Sequence, residues 1–192
     1  QTAIAGAERV FAVLDEPSED KSGEFTMDNS TGNIEFNHVD FSYIPRKQVL
    51  HDFNLKVKAG QKVALVGSTG SGKTTVVNLL MRFYDIDNGS ITIDGVNIKD
   101  IDCENLRKNT AIVLQDTVLF ADTVKNNLLY SRQDATDTEI IAAAKKANCH
   151  NMIMHLPDGY DSMLAKDGQN LSQGQRQLLS IARAFVASPK IL

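Results

Sequence analysis

Gly67-Ser68-Thr69-Gly70-Ser71-Gly72-Lys73-Thr74 decides how this chain is read, because it fits the pattern G-x-x-x-x-G-K-[ST]. The flanks suit it. Gln61-Lys-Val-Ala-Leu-Val66 is a short apolar run that predicts a buried strand. Beyond the motif, Val76, Val77, Leu79, Leu80 and Met81 predict a helix over Thr75–Arg82 that packs on a sheet. A strand, a glycine-rich turn and a helix in that order make a phosphate cradle. Backbone N–H groups of Gly67 to Thr75 face the phosphates, and the helix dipole favours negative charge there. Lys73 reaches the β- and γ-phosphates and Thr74 offers its hydroxyl to Mg²⁺.

Working outward, residues 1–16 read as a helix with Ile4, Ala7, Phe11 and Leu14 on one face and Pro17 as its stop. Residues 17–32 are polar, with Gly23 and Gly32. Strands are expected at Ile34–Tyr43, Phe53–Val57, Ser90–Ile93 (ending in the turn Asp94-Gly95) and Ala111–Gln115. Helices are expected at Asn105–Lys108, over much of Thr123–His155 with Glu139–Asn148 clearest, and at Leu171–Ala187. Pro157-Asp-Gly159 reads as a turn.

The chain of 192 residues is 42% hydrophobic and 23% charged, with a net charge of −4, so it can bury a sizeable core. The acidic balance argues against a nucleic-acid backbone as partner. No apolar run approaches the ~18 residues of a membrane span. Cys103 and Cys149 lack metal-ligand spacing and read as free thiols. The start at Gln1 inside a helical pattern and the finish at Ile191-Leu192 inside an apolar run suggest a piece of a longer polypeptide.

A second motif, Leu171-Ser-Gln-Gly-Gln175, opens the last helix. Ser172 is a good N-cap and Gln175 completes a capping box, which by itself need mean no more than a helix start. In order, a P-loop, Gln115 at a strand end, Leu171–Gln175 and the tail Gln175-Arg-Gln-Leu-Leu-Ser-Ile-Ala-Arg-Ala184 resemble the nucleotide-binding domain of ABC transporters. The resemblance runs from about residue 33 to the end. Ala7-Glu-Arg-Val-Phe-Ala-Val-Leu-Asp15 looks like the segment joining the last membrane helix to this domain in ABC exporters.

The resemblance implies an α/β P-loop fold of the ABC ATPase type: a mixed sheet with an antiparallel β part and an inserted α-helical subdomain at about 116–175. It divides the chain into a connecting helix (1–20), a linker (21–32) and an ATP-binding domain (33–192). Tyr43 would stack on adenine. Gln115 would reach Mg²⁺ and the attacking water, which with Lys73 makes it a candidate catalytic residue. Ser172, Gly174 and Gln175 would touch ATP held on a second domain's P-loop, so that ATP joins two domains head-to-tail. The implied function is ATP binding and hydrolysis that drives export, at the cytoplasmic face of a membrane, with a transmembrane domain of the same protein as a further partner. A soluble ABC ATPase of DNA repair or translation is the alternative.

The pattern departs at Gln173, where the family usually has glycine, and at Ala165-Lys166-Asp167-Gly168, where exporters often have an acidic residue for Lys166. The family's Asp-Glu strand end and later histidine have no match after the signature. Ala12-Val-Leu-Asp-Glu16 mimics the former but precedes the P-loop, and His38, His51, His150 and His155 all precede the signature. These 192 residues are therefore expected to bind ATP and to hydrolyse it poorly.

Overall fold

The computed structural model describes residues 2–16, 18–19, 23–114 and 116–192. Helix α1 (Thr2–Leu14) leads in, and β1 (Ile34–Ile44) turns into β2 (Lys47–Val57). After the glycine-rich loop come α2 (Lys73–Leu80), β3 (Asn88–Ile93) and β4 (Val96–Asn97). The remainder is helical: α3 (Cys103–Asn109), α4 (Val124–Leu129), α5 (Asp137–Lys146), α6 (His150–Met154) and α7 (Gln173–Val186). No described helix is long and apolar enough to cross a membrane.

The four strands form one antiparallel sheet in the order β2-β1-β3-β4. Period-two patterning puts Ile34, Phe36, Ile91 and Ile93 on the face that α2 covers with Val76 and Leu79, and the irregularity in β1 between Phe36 and Phe41 brings Phe41 to the same core. A second core gathers Val124 and Leu128 of α4, Ile140 and Ala144 of α5, Ile153 of α6, and Leu179, Ala182 and Val186 of α7. The two cores share no buried residue.

The α/β class and the antiparallel part match expectation, and most helices lie within a few residues of their predicted places. Two strands do not form. Residues 61–66 and 111–114 are irregular, and Val63, Leu65 and Val66 are exposed, Val66 at 93%. Parallel pairing near these segments is reduced to the bridge Thr110–Ile191, with Ala111 N donating to Ile191 O at 2.9 Å. An apolar run becomes a strand only when a neighbour completes its ladder. The polar stretch read as a linker is, where described, held against the fold: Met27 is 2% exposed. The predicted stop at Pro17 lies outside the described residues.

Candidate functional site

Gly72 is the N-cap of α2, at φ 86, in the left-handed region that L side chains avoid. A Cβ there would also stand 2.8 Å from Leu50 Cδ2. The position therefore needs glycine twice over, once for its dihedral and once for the approach of β2. The choice has a chemical result. Helices α3, α4, α5 and α7 have side-chain caps from Asp102, Thr123, Thr136 and Ser172, whereas Gly72 offers none. The first i→i−4 bond of α2 runs from Val76 N to Gly72 O, so the N–H groups of Lys73, Thr74 and Thr75 lie ahead of the helical ladder. That end of the helix suits an external anion.

Lys73 turns back into the loop. Its Nζ donates to Gly67 O (2.8 Å), Ser68 O (2.7 Å) and Ser71 Oγ (3.3 Å). An ammonium seated on carbonyl oxygens inside a loop of N–H donors is positioned for phosphate oxygens. Beside it opens a cleft of about 580 Å³ lined by Tyr43, Ile44, Val49, Gly70, Thr74 and Thr75, among others. Tyr43 donates its hydroxyl to Thr75 Oγ1 at 3.1 Å and stands edge-on to Phe41 and to Tyr84, with ring centroids 4.8 and 5.0 Å away. Tyr43 is 44% exposed. The site thus brings together Tyr43 and the predicted loop residues Gly67 to Thr75. Gln115 lies outside the described residues.

The Leu171–Gln175 motif stands apart. Ser172 Oγ accepts from Gln175 N at 3.3 Å, and Gln175 Oε1 accepts from Ser172 N at 2.8 Å, which completes the expected capping box. Ser172, Gln173 and Gly174 are exposed, and none of them lines the Tyr43 cleft. Gly174 needs no left-handed backbone, and a Cβ on it would meet nothing within 4 Å.

The sequence profile of the ABC transporter family matches residues 50–192. The chain belongs to this family. As an ABC transporter ATP-binding domain it is 51% identical, over its whole length, to an uncharacterized ABC transporter ATP-binding protein of Bacillus subtilis, of which it covers 32%. It is 47% identical to a fatty acid ABC transporter ATP-binding/permease protein of Mycobacterium bovis, again over the whole chain and covering 30% of that protein. An ATP-dependent lipid A-core flippase of Legionella pneumophila is 47% identical and covered to 33%. The fold matches a bacterial Atm1-family ABC exporter with ATP bound at a TM-score of 0.86 and 36% identity, over 98% of this chain and 33% of that one. The chain thus spans about a third of the length of these relatives.

Several features of this ABC domain escaped the sequence reading. Asn127, 2% exposed, donates to Phe120 O (3.0 Å) and Thr123 O (3.0 Å) and accepts from Phe120 N (2.9 Å) and Arg183 Nη2 (3.0 Å). Arg183 also donates to Asn127 O and Val118 O, and lies 5.8 and 5.6 Å from the ring centroids of Phe120 and Tyr130. Burial pulls its guanidinium below the usual arginine value. This network fixes the chain that follows residue 115 against α7. The histidines have ordinary roles where contacts are seen: His38 pairs with Asp52, His150 with Tyr160 OH, and His155 with Asn151 O. Both cysteines are buried and free, and burial pushes the Cys149 thiol up to about 11, so it stays protonated at neutral pH.

Proposed function

We propose that the chain binds ATP with Mg²⁺ between Tyr43 and the loop Gly67–Thr75, as the nucleotide-binding half-site of an ABC exporter. One observation carries this reading: the N-terminus of α2, capped by a glycine without a side chain, opens with Lys73 into a cleft bordered by a half-exposed tyrosine ring. The cleft's size lies within the usual ~300–1,000 Å³ of small-molecule sites. The triphosphate would lie on the N–H groups of Gly70 to Thr75, with Lys73 moving from the Gly67 and Ser68 carbonyls onto phosphate oxygens. The Tyr43 ring would take the purine face. Thr74 Oγ1 and Gln115 would hold Mg²⁺, which neutralises phosphate charge when bound.

Ser172, Gly174 and Gln175 would serve a nucleotide on a second domain, because Ser172 and Gly174 are exposed, Gln175 is half-buried beside them, and none of the three lines this chain's own cleft. Two copies, or this domain and a homologous one, would then pair head-to-tail around two ATP molecules. The names of the relatives, a permease and a flippase, support export by the whole protein, with a membrane domain preceding this one and the ATP sites at the cytoplasmic face. Tested as these 192 residues, the domain should turn ATP over slowly. No Asp or Glu follows Asp167 to polarise an attacking water.

Calorimetric titration of ATP–Mg²⁺ into the chain tests the reading. Saturable binding that Lys73→Ala reduces at least tenfold and Tyr43→Ala reduces several-fold is expected. Binding that is indifferent to Lys73→Ala would overturn it.

A further inference from the structure

The stretch between α1 and β1 is strapped across the fold. Phe25 N donates to Asp100 O (3.0 Å), and Asp102 N donates back to Phe25 O (2.9 Å). Met27 N donates to Asn105 Oδ1 at 2.7 Å, and Lys190 Nζ donates to Met27 O and Asp28 O. Asp94 then collects Ser30 Oγ, Thr31 N and Oγ1, Gly32 N, and Asn33 N and Nδ2. These contacts tie the strap to α3, to the β3–β4 hairpin and to the end of the chain. A further contact leads to the ATP site.

Arg107, in the last turn of α3, divides its guanidinium between two groups of acceptors. Nη1 and Nη2 make a two-pronged pair with Glu19 Oε2 and Oε1, at 2.8 and 2.5 Å. Nε donates to Met81 O at 3.2 Å and Nη2 to Arg82 O at 2.8 Å, the carbonyls of the α2 C-cap residue and of the left-handed residue that follows it. The same guanidinium lies 5.1 Å from the Phe83 ring centroid. The hydrogen bond from Arg107 to Glu19 raises the guanidinium pKa further. A cation held on the turn that ends a helix fixes that turn in place and complements the helix dipole. Helix α2 is a rod about 12 Å long. Whatever fixes the turn at one end therefore fixes the N–H groups of Lys73 to Thr75 at the other.

We propose that Arg107 is a positioning residue for the nucleotide and that Glu19 is its latch. Together they couple the segment leaving α1 to the ATP cleft through the length of α2. The proposal rests on the ATP reading above. Coupling is reciprocal: a latched strap tightens ATP binding, and bound ATP tightens the strap. Lysine cannot replace Arg107, because a point charge cannot serve a carboxylate and two carbonyls in one plane.

The test uses ATP–Mg²⁺ titrations and amide hydrogen exchange on the unaltered chain, Glu19→Gln, Arg107→Lys and the double variant. Glu19 is 42% exposed on its side chain, so Glu19→Gln leaves the core intact even if changes at Arg107 disturb folding. Each single variant should weaken ATP binding about three- to tenfold, and the double variant no more than the worse single, since both act on one path. ATP should slow exchange at the Phe25 and Met27 amides in the unaltered chain and not in Glu19→Gln. If the unaltered chain binds ATP and Glu19→Gln matches it in affinity and in ATP-dependent exchange, the latch is wrong and the ATP reading stands. A lowered melting temperature with both readouts unchanged equally overturns the latch, leaving an ion pair that only stabilises. No ATP binding by the unaltered chain overturns both.

Discussion

Gly174→Ala separates what this domain needs for itself from what it would offer a partner. Gly174 is the second residue of α7, has no left-handed dihedral, and would place a Cβ with nothing within 4 Å. Within the chain, then, alanine meets no clash and gains helix propensity. Replacing an unstrained helical glycine stabilises by about 0.5–1 kcal/mol, less near the helix start. For a chain of this size that corresponds to a rise of ~1–4 °C in melting temperature. ATP binding to the Gly67–Thr75 loop should be unchanged, because Gly174 does not line that cleft. Pairing should suffer. If that surface receives a second copy's nucleotide, as proposed, a methyl group there would force the phosphate off the backbone, and an extra atom in a close contact costs about 1–3 kcal/mol, roughly a tenfold or greater loss. Sedimentation with and without ATP–Mg²⁺ reads association, and a thermal melt on the same samples reads stability. A melting temperature lowered by several degrees would mean that the added carbon meets something in this chain, and undiminished ATP-dependent association would mean that no partner approaches here. Either result refutes the reasoning.

Three further outcomes follow from the geometry. Gly72→Ala combines a left-handed alanine with a 2.8 Å approach to Leu50, and should destabilise by about 1–3 kcal/mol in a urea titration while reducing ATP affinity; an unchanged midpoint would show that the loop relaxes freely. Asn127→Ala leaves Phe120 N–H and one Arg183 donor without their part-buried acceptor at the edge of the helical core, and should lower stability by about 1–3 kcal/mol in the same titration, with ATP affinity at the separate cleft retained. Acid acts through depressed carboxyls. Glu139 is held at about 2 by the Thr136 backbone N–H, by Arg132 and by the Thr136 hydroxyl. At Asp94 partial burial opposes the charge, but donors from Ser30, Thr31, Gly32 and Asn33 outweigh it and hold the carboxyl far below the usual range. Folded values below unfolded ones give stability that is complete above the ordinary carboxylate range and is lost as pH falls from about 4.5 through 2. A urea midpoint that falls over that window in the native chain, and falls less in Asp94→Asn, is expected; equal slopes would deny Asp94 its part.

The parts legible in the sequence are those whose chemistry is local. Gly72 and Lys73 sit side by side, and Ser172 and Gln175 face each other across one helical turn, so the loop and the capping box could be read from spacing alone. Val63 and Leu65 misled for the opposite reason: their pattern suits a strand, but strand identity depends on neighbours that spacing does not reveal. Arg107 was silent because its acceptors are backbone carbonyls 25 and 26 residues away and a carboxylate 88 residues away. A backbone acceptor leaves no mark on the sequence that could announce it. Asn127 was hidden similarly, since a buried asparagine and an exposed one are the same letter. The turn Asp94-Gly95 was visible as a turn, but the carboxylate's hold on residues 30–33 was not.

The separateness of the two cores has a bearing on how such a chain can change over generations. Because the helical core and the sheet core have no buried residue in common, a lesion in one need not be compensated in the other. The helical lobe is in this respect a cartridge. Exchanged for that of a homologue, it would carry its own packing and, on the function proposed above, its own face toward a partner, while the lobe with Tyr43 and Lys73 kept the proposed ligand site. Recognition of a new partner could then drift without disturbing the grip on the nucleotide.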